Sequence, residues 1–456
     1  MNDARTALVL PTARRLAELA LRADPDAMHE SVRLKAGTCL LDFLAACASG
    51  ASLDWSRMAV EAAKADGGAG PCAILSDGSR VGAGAAAFAN AVLGGSTWQM
   101  DTFADSATHP GVMVIPAALA SAQSRGADGR ALLAGIVGAY EVVGALGEAM
   151  YRGATSYTMR PSAVIGPIAA AAAAARVHGL SLDATADAIA LATNASGGLL
   201  EGPRVGNYDI QFHAAFGARG GLAACELARA GAPGAPSAIE GPAGLVASIA
   251  PAARDRGYAD EPGARRILQV LHKPAPACVY VQTPCQIAAS IAVRPGFDAA
   301  RIRSVRVRLH PMAIGFPGCD NAARIDSAQA ARLSIQYSVA SVLLRGAIDT
   351  RIWTEPDAGG PVTAAMAACV LEPRDALPVQ GCAMTVTLDD GRAFEAAADA
   401  IRAPAHDEIV ERFRRAAAPR LGDAAVRRVI GWAQALETLP QVEALVDAFT
   451  GRVSDP

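Results

Sequence analysis

The chain has 456 residues, 52% hydrophobic, 19% charged and only 5% aromatic, with a formal net charge of −3. That length predicts two or three domains, or one large body with a smaller one inserted. Apolar content carried by Ala, Leu and Val favours close-packed helices over sandwiches or barrels, while the absence of any basic segment argues against a nucleic-acid partner and the low polarity against disorder.

Along the chain, the N-terminus starts Met-Asn-Asp-Ala-Arg and lacks a continuous apolar run, so no signal peptide and a cytoplasmic location are expected. Apolar spacing of 3.6 residues predicts helices near 12–22, 31–48, 55–65, 83–94, 112–124, 129–150, 162–178, 183–195 and 210–230. The most apolar segment, Pro161 to Val177, is alanine-dominated and too short to span a bilayer, so it reads as a buried core helix and no membrane partner is expected. After about residue 262 the pattern changes. Ser304–His310 and Cys382–Leu388 alternate as half-buried strands do, the second followed by a hairpin turn at Asp389-Asp-Gly391, and Ser327–Arg345 between them reads as one long amphipathic helix. Helical spacing resumes at Ala405. The fold class is therefore mainly α: a helical domain over 1–262, an inserted α+β domain over 263–404, and a return to the helical body over 405–456. A small ligand would sit in a cleft between two such bodies.

Several segments carry polar chemistry. The loop Trp98–Gly111 places Asp101, Thr102, Asp105 and His109 just before a helix that Pro110 can begin, where free amide groups would favour a substrate carboxylate. The same acids and Thr108 would equally serve to cap and solvate a loop. Gly82-Ala-Gly84-Ala-Ala-Ala87, with Asp101 downstream, has the outline of a dinucleotide loop, but no β-α-β alternation follows it. Tyr157-Thr-Met-Arg160-Pro161 opens the alanine helix; Tyr157 could donate a proton and Arg160 could clamp a carboxylate, or form a structural ion pair. Cys319 has no neighbouring histidine to activate it as a nucleophile. The nine cysteines contain no C-x-x-C pair and the seven histidines no metal-ligand spacing, so free thiols in a reducing compartment and no metal are expected.

Three of the 41 basic residues are lysine: Lys35, Lys64 and Lys273. Codon bias toward arginine explains the ratio, yet arginine cannot be deprotonated in a protein and lysine can be tuned into a base. Lys273 lies in His272-Lys-Pro-Ala-Pro-Ala-Cys278, where two prolines hold the backbone extended at the domain junction. In an apolar cleft its pKa would fall toward the range of a general base; on an open surface it would be an ordinary lysine.

Taken together, these segments resemble the MmgE/PrpD family, which includes 2-methylcitrate dehydratases, cis-aconitate decarboxylases and iminodisuccinate epimerases. The resemblance rests on Lys35–Asp42, Asp101–Gly111, Ala139–Val143, Phe212–Gly217 and Lys273–Cys278, five motifs in order over nearly the whole chain. It implies a large helical domain with an α+β lid, a homodimer, a small di- or tricarboxylate substrate, and chemistry without metal or organic cofactor. It implies a lyase, most like a dehydratase, with Lys273 as base or enolate stabiliser, His109 protonating the leaving group, Asp101 orienting it and Arg160 holding a carboxylate. Thr102, His213, Cys278 and Cys319 are the further substrate-binding candidates. As an epimerase the same site would set Tyr157 and Lys273 on opposite faces of the carbon. Three departures stand out: Arg160 replaces a family histidine, Ile210 a lysine, and Cys278 a histidine found in some decarboxylases.

Overall fold

The computed structural model describes residues 8–452 except 155, 156, 158, 262, 264, 324 and 358. The first half is a stack of helices: α1 (Ala13–Leu21), α2 (Glu30–Gly50), α3 (Asp54–Asp66), α4 (Ala83–Gly95), α5 (Gly111–Arg125), α6 (Gly129–Tyr151), α7 (Pro161–Val177), α8 (Leu182–Ala192), the single turn α9 (Glu201–Val205) and α10 (His213–Arg229). Their ends follow local chemistry. Thr12, Asp128 and Ser181 accept from backbone amides at the starts of α1, α6 and α8, and Pro161 begins α7, where its missing N–H costs nothing. The expected ends at 195 and 210 become 3-10 turns flanking α8 and α10. The Gly82–Ala87 segment merely starts α4 behind a two-stranded ribbon, so no dinucleotide fold forms.

The core is built on α7, whose residues Ser162 to Ala175 are all buried. Glycine on the facing helix lets α10 come this close: a Cβ on Gly221 of α10 would lie 2.3 Å from the Pro167 carbonyl oxygen. Helix α6 is long and apolar enough to cross a membrane, but 83% of its most apolar window is buried by other helices, as in a core helix.

The later part contains a four-stranded sheet. Ile302–Leu309 lies between Cys369–Pro373, parallel to it, and Cys382–Leu388, antiparallel; Ala393–Ala398 closes the far edge after the expected turn, with Gly391 at φ 86°. The helix expected over Ser327–Arg345 is instead two, Ala328–Leu333 and Ile335–Arg345. Ser334 breaks it with extended backbone, and its hydroxyl oxygen caps the second segment by accepting from the Tyr337 amide at 3.0 Å. The long helix His406–Gln434, interrupted by Gly422 at φ 75° and followed by a last helix Val442–Thr450, packs on α2 so closely that a Cβ on Gly37 would collide with the Ala433 carbonyl. This contact brings Arg412 beside Asp42 in the heart of the helical body.

Candidate active site

Two loops meet to make the site. Thr102 and Leu271 exchange backbone hydrogen bonds at 2.8 and 2.9 Å, tying the 98–111 loop to the proline-braced segment that carries Lys273. Gln282, on the helix Val279–Ala292, holds that segment by donating to the carbonyls of Ala275, Ala277 and Cys278 at 3.0–3.1 Å while accepting from the Ala275 amide. Beneath it, Asp42 is shared: His272 Nδ1 lies 2.9 Å from one oxygen, and Arg412 donates to the other at 2.7 Å and to the Lys273 carbonyl at 2.9 Å. Burial would raise the Asp42 pKa, but Arg412 and His272 hold it below the ordinary value.

Above this base lies a narrow cavity of about 20 Å³ lined by Trp98, His109, Arg160, Ile210, Lys273 and Cys278, with Tyr280 and Phe316 closing the wall. Its floor is strained. Trp98 and Ala107 are the non-glycine residues at positive φ among those described, at 63° and 51°, and both line it.

The electrostatics are those of a cationic pocket. Lys273 is fully buried, its ammonium donating to the Ala277 carbonyl at 3.2 Å and lying 5.9 Å from the Trp98 ring centre. Burial, aided by Arg160, pushes its pKa down to about 7, with Cys278, Asp42 and Asp101 opposing. Arg160 donates to the Ile210 carbonyl at 2.8 Å, and burial lowers it to about 10, leaving it charged at neutral pH. Neither cation forms an ion pair with a carboxylate among the described residues. His109 is held well below its ordinary pKa by burial and by the charges of Lys273 and Arg160, so its imidazole is neutral. The Thr102 hydroxyl donates to the Met100 carbonyl at 3.1 Å and so takes the Nδ1 proton of His109 at 2.9 Å, which assigns the lone pair to Nε2.

The structure thus gathers Lys273, His109, Arg160 and Cys278 around one cavity. Asp101 and Thr102 stand behind it. Asp101 accepts from the Gly111 amide at 2.9 Å and from the Tyr140 hydroxyl, so the start of α5, expected to be open to a substrate carboxylate, is already occupied by this side chain. Burial raises the Asp101 pKa, and these donors restrain it. Tyr157 also lies outside the lining, its hydroxyl 3.4 Å from that of Tyr280. Cys319 sits behind Cys278 with the sulfurs 3.9 Å apart, a contact that, ahead of Lys273, lowers the Cys278 pKa. His213 begins α10, and burial with Arg160 drives its pKa down to about 3. Asp105 is outside the cavity as well. Trp98, Tyr280 and Phe316 were not singled out by sequence; the one signal pointing to Tyr280 is its place two residues after Cys278. Among the described residues no group of three or more His, Cys, Asp or Glu is placed to hold a metal.

The MmgE/PrpD N-terminal domain model matches residues 14–255 and the C-terminal domain model residues 275–438. The chain belongs to the MmgE/PrpD family. The second match begins two residues after Lys273 and runs through the helix His406–Gln434 that carries Arg412. Curated relatives include the cis-aconitate decarboxylase-like protein oryM of Aspergillus oryzae, 32% identical over 216 residues, which are 45% of this chain and 44% of that protein. A cis-aconitate decarboxylase of Aspergillus terreus is 29% identical over 213 residues, 45% of this chain and 43% of its own length. The matched stretch is therefore less than half of each relative.

Proposed function

We propose that this protein is a lyase that removes a proton next to a carboxylate of a small di- or tricarboxylate and expels a neighbouring hydroxyl, as a 2-methylcitrate-type dehydratase does. The observation that carries this reading is the pairing of two buried cations without carboxylate partners among the described residues, Lys273 and Arg160, at one narrow cavity. Such a pocket calls for an anion, and it excludes water from an enediolate that would otherwise be quenched. Family membership and the relatives' names support a carboxylate as substrate and a lyase as the class.

In this reading Arg160 grips a carboxylate and neutral His109, fixed by Thr102, accepts a hydrogen bond from substrate. Lys273 as the free amine takes the proton from carbon. The electron pair moves into the carboxylate as an enediolate, and its collapse makes the double bond and breaks the C–O bond. The leaving hydroxide takes the proton that Lys273 has just gained and departs as water. Protonation of the leaving group thus falls to Lys273 rather than to His109, because burial and two neighbouring cations oppose an imidazolium. The same proposal includes a cytoplasmic homodimer that works without a cofactor.

Decarboxylation is the second reading, favoured by the names of the relatives that match 45% of the chain. It needs the opposite form of the lysine: carbon dioxide leaves, and the ammonium of Lys273 protonates the carbanion. Purified protein incubated in deuterated water with 2-methylcitrate, citrate, cis-aconitate or iminodisuccinate and followed by proton NMR separates these outcomes. Elimination with a rate rising through about pH 7 is expected. Loss of carbon dioxide with a rate falling over that range selects decarboxylation, and deuterium exchange without an alkene selects epimerisation. No turnover and no exchange with any of the four would overturn the carboxylate reading.

A further inference from the structure

Cys278 and Cys319 are brought together from two separate loops. The Cys278 amide donates to the Arg332 carbonyl at 2.9 Å, and the Cys319 carbonyl accepts from the Ile335 amide at 3.0 Å. Both residues are thereby pinned to the two sides of the helix break at Ser334. Cys319 also closes a tight turn, its amide donating to the Phe316 carbonyl at 2.9 Å, with Gly318 at φ 86° inside it. The two sulfurs lie 3.9 Å apart, the one thiol–thiol hydrogen bond among the described residues, with Cys319 the donor. A disulfide needs about 2.05 Å, so from 3.9 Å each sulfur has to move by about 1 Å, within the swing of its own Cα–Cβ rotation.

The two thiols are not equivalent. Cys278 lines the cavity beside Lys273 and Arg160, whereas Cys319 is fully buried behind it. Cys278 also stands at the start of the helix Val279–Ala292. The Cys319 thiol, followed by the Tyr280 amide, the Lys273 ammonium and the Val279 amide, lowers its pKa against the pull of burial. Burial pushes Cys319 and the seven other thiols of the chain upward. Cys278 is therefore the thiol set to act as a nucleophile, and Cys319 is a second thiol held next to it. The cavity at that sulfur, about 20 Å³, has room for one water-sized molecule. Hydrogen peroxide, one oxygen larger than water, is the oxidant closest to that size.

We propose that Cys278 and Cys319 are an oxidation site at which hydrogen peroxide forms a reversible disulfide in the wall of the Lys273 cavity. The Cys278 thiolate attacks one peroxide oxygen: an S–O bond forms, the O–O bond breaks, and the released hydroxide takes the proton of the Cys319 thiol and leaves as water. The Cys319 thiolate then attacks the Cys278 sulfur. An S–S bond forms, and the expelled hydroxide takes up the proton that Cys278 gave up on ionising. Two thiols are oxidised and one peroxide is reduced to two waters. The bond removes the charge that attracts the Lys273 ammonium and ties the lysine loop to the turn at Gly318. In a reducing compartment such a bond is transient and serves as a sensor.

The test needs no substrate. The reduced full chain is treated with hydrogen peroxide, blocked with N-ethylmaleimide in denaturant, digested without reductant and read by mass spectrometry. A peptide pair joined through Cys278 and Cys319, two hydrogens lighter than the separate peptides and abolished by dithiothreitol, is expected. The free thiols of the denatured chain should fall by two from nine. In Cys319→Ala no second thiol resolves the first step, so dimedone should label Cys278 as its sulfenic acid; in Cys278→Ala, Cys319 should stay reduced. Should neither variant fold, a peroxide titration of the wild type decides, because the linked pair should form before any sulfinic acid. Nine free thiols at a dose that already oxidises the exposed Met58, a bond between other cysteines, or Cys278 carried to the sulfinic acid beside a free Cys319 would overturn the proposal.

Discussion

Replacing Lys273 with methionine tests the electrostatics of the cavity without any knowledge of the substrate. The amine is fully buried and its pKa falls from the ordinary 10.5 to about 7. Between these values the unfolded chain carries a proton on residue 273 that the native state does not. Wild-type stability therefore rises with pH across this window, and methionine removes that dependence. At about 1.4 kcal/mol per pH unit, with half-titration at the lower end taken into account, the native lysine gains about 2 kcal/mol relative to methionine between pH 7 and pH 9. Below pH 7 both states hold the proton and the difference levels off at its largest penalty, on the order of 5 kcal/mol against full deprotonation. Urea unfolding of both proteins at pH 7, 8 and 9 measures it, and taking the difference cancels the other titrating groups the two share. If the gap between wild type and Lys273→Met does not change over this range, the lysine is solvated or ion-paired and the proposed base loses its physical ground.

Three further outcomes follow from the same geometry. Cys278 raises the Lys273 pKa by attraction, so Cys278→Ala should move the rising limb of the pH–rate profile to lower pH, and a shift upward would show that the thiol does not act on the amine. Asp42→Asn leaves Arg412 buried without its charge partner and should cost about 3–5 kcal/mol in urea unfolding; a loss under 1 kcal/mol would mean the cluster does not brace the lysine loop. The proposed homodimer needs an apolar face, and α10 exposes Phe216 and Leu227 at 62% and 54%. Phe216→Glu should give a monomer by light scattering where the wild type gives a dimer, and a monomeric wild type would remove the dimer altogether.

Most helix ends were legible because each is set by residues within a few positions: a capping hydroxyl, a proline at the first turn, a glycine after the last. Ser334 shows the limit. It falls within a continuous apolar stripe, so periodicity carried the helix through it, while its extended backbone is fixed by the Asn321 carbonyl, which accepts from its hydroxyl at 2.6 Å from 13 residues away. Strand Ala393–Ala398 is similar. Its alanines have little strand preference, and only pairing with Cys382–Leu388 makes it a strand. At the site, Lys273 stood out by rarity and His109 by its polar loop. Trp98, Tyr280 and Phe316 carry no charge and no motif, and their convergence depends on contacts among three distant segments.

The bond between Asp42 and Arg412 spans 370 positions of sequence. A chain emerging from the ribosome would have laid down most of the helical stack, and even the lysine loop, long before residue 412 becomes available. Until then Asp42 and His272 would lie buried beside one another without the guanidinium that anchors both the carboxylate and the Lys273 backbone. The bracing of the lysine loop is therefore completed late in synthesis, once residue 412 can reach Asp42 and the Lys273 carbonyl.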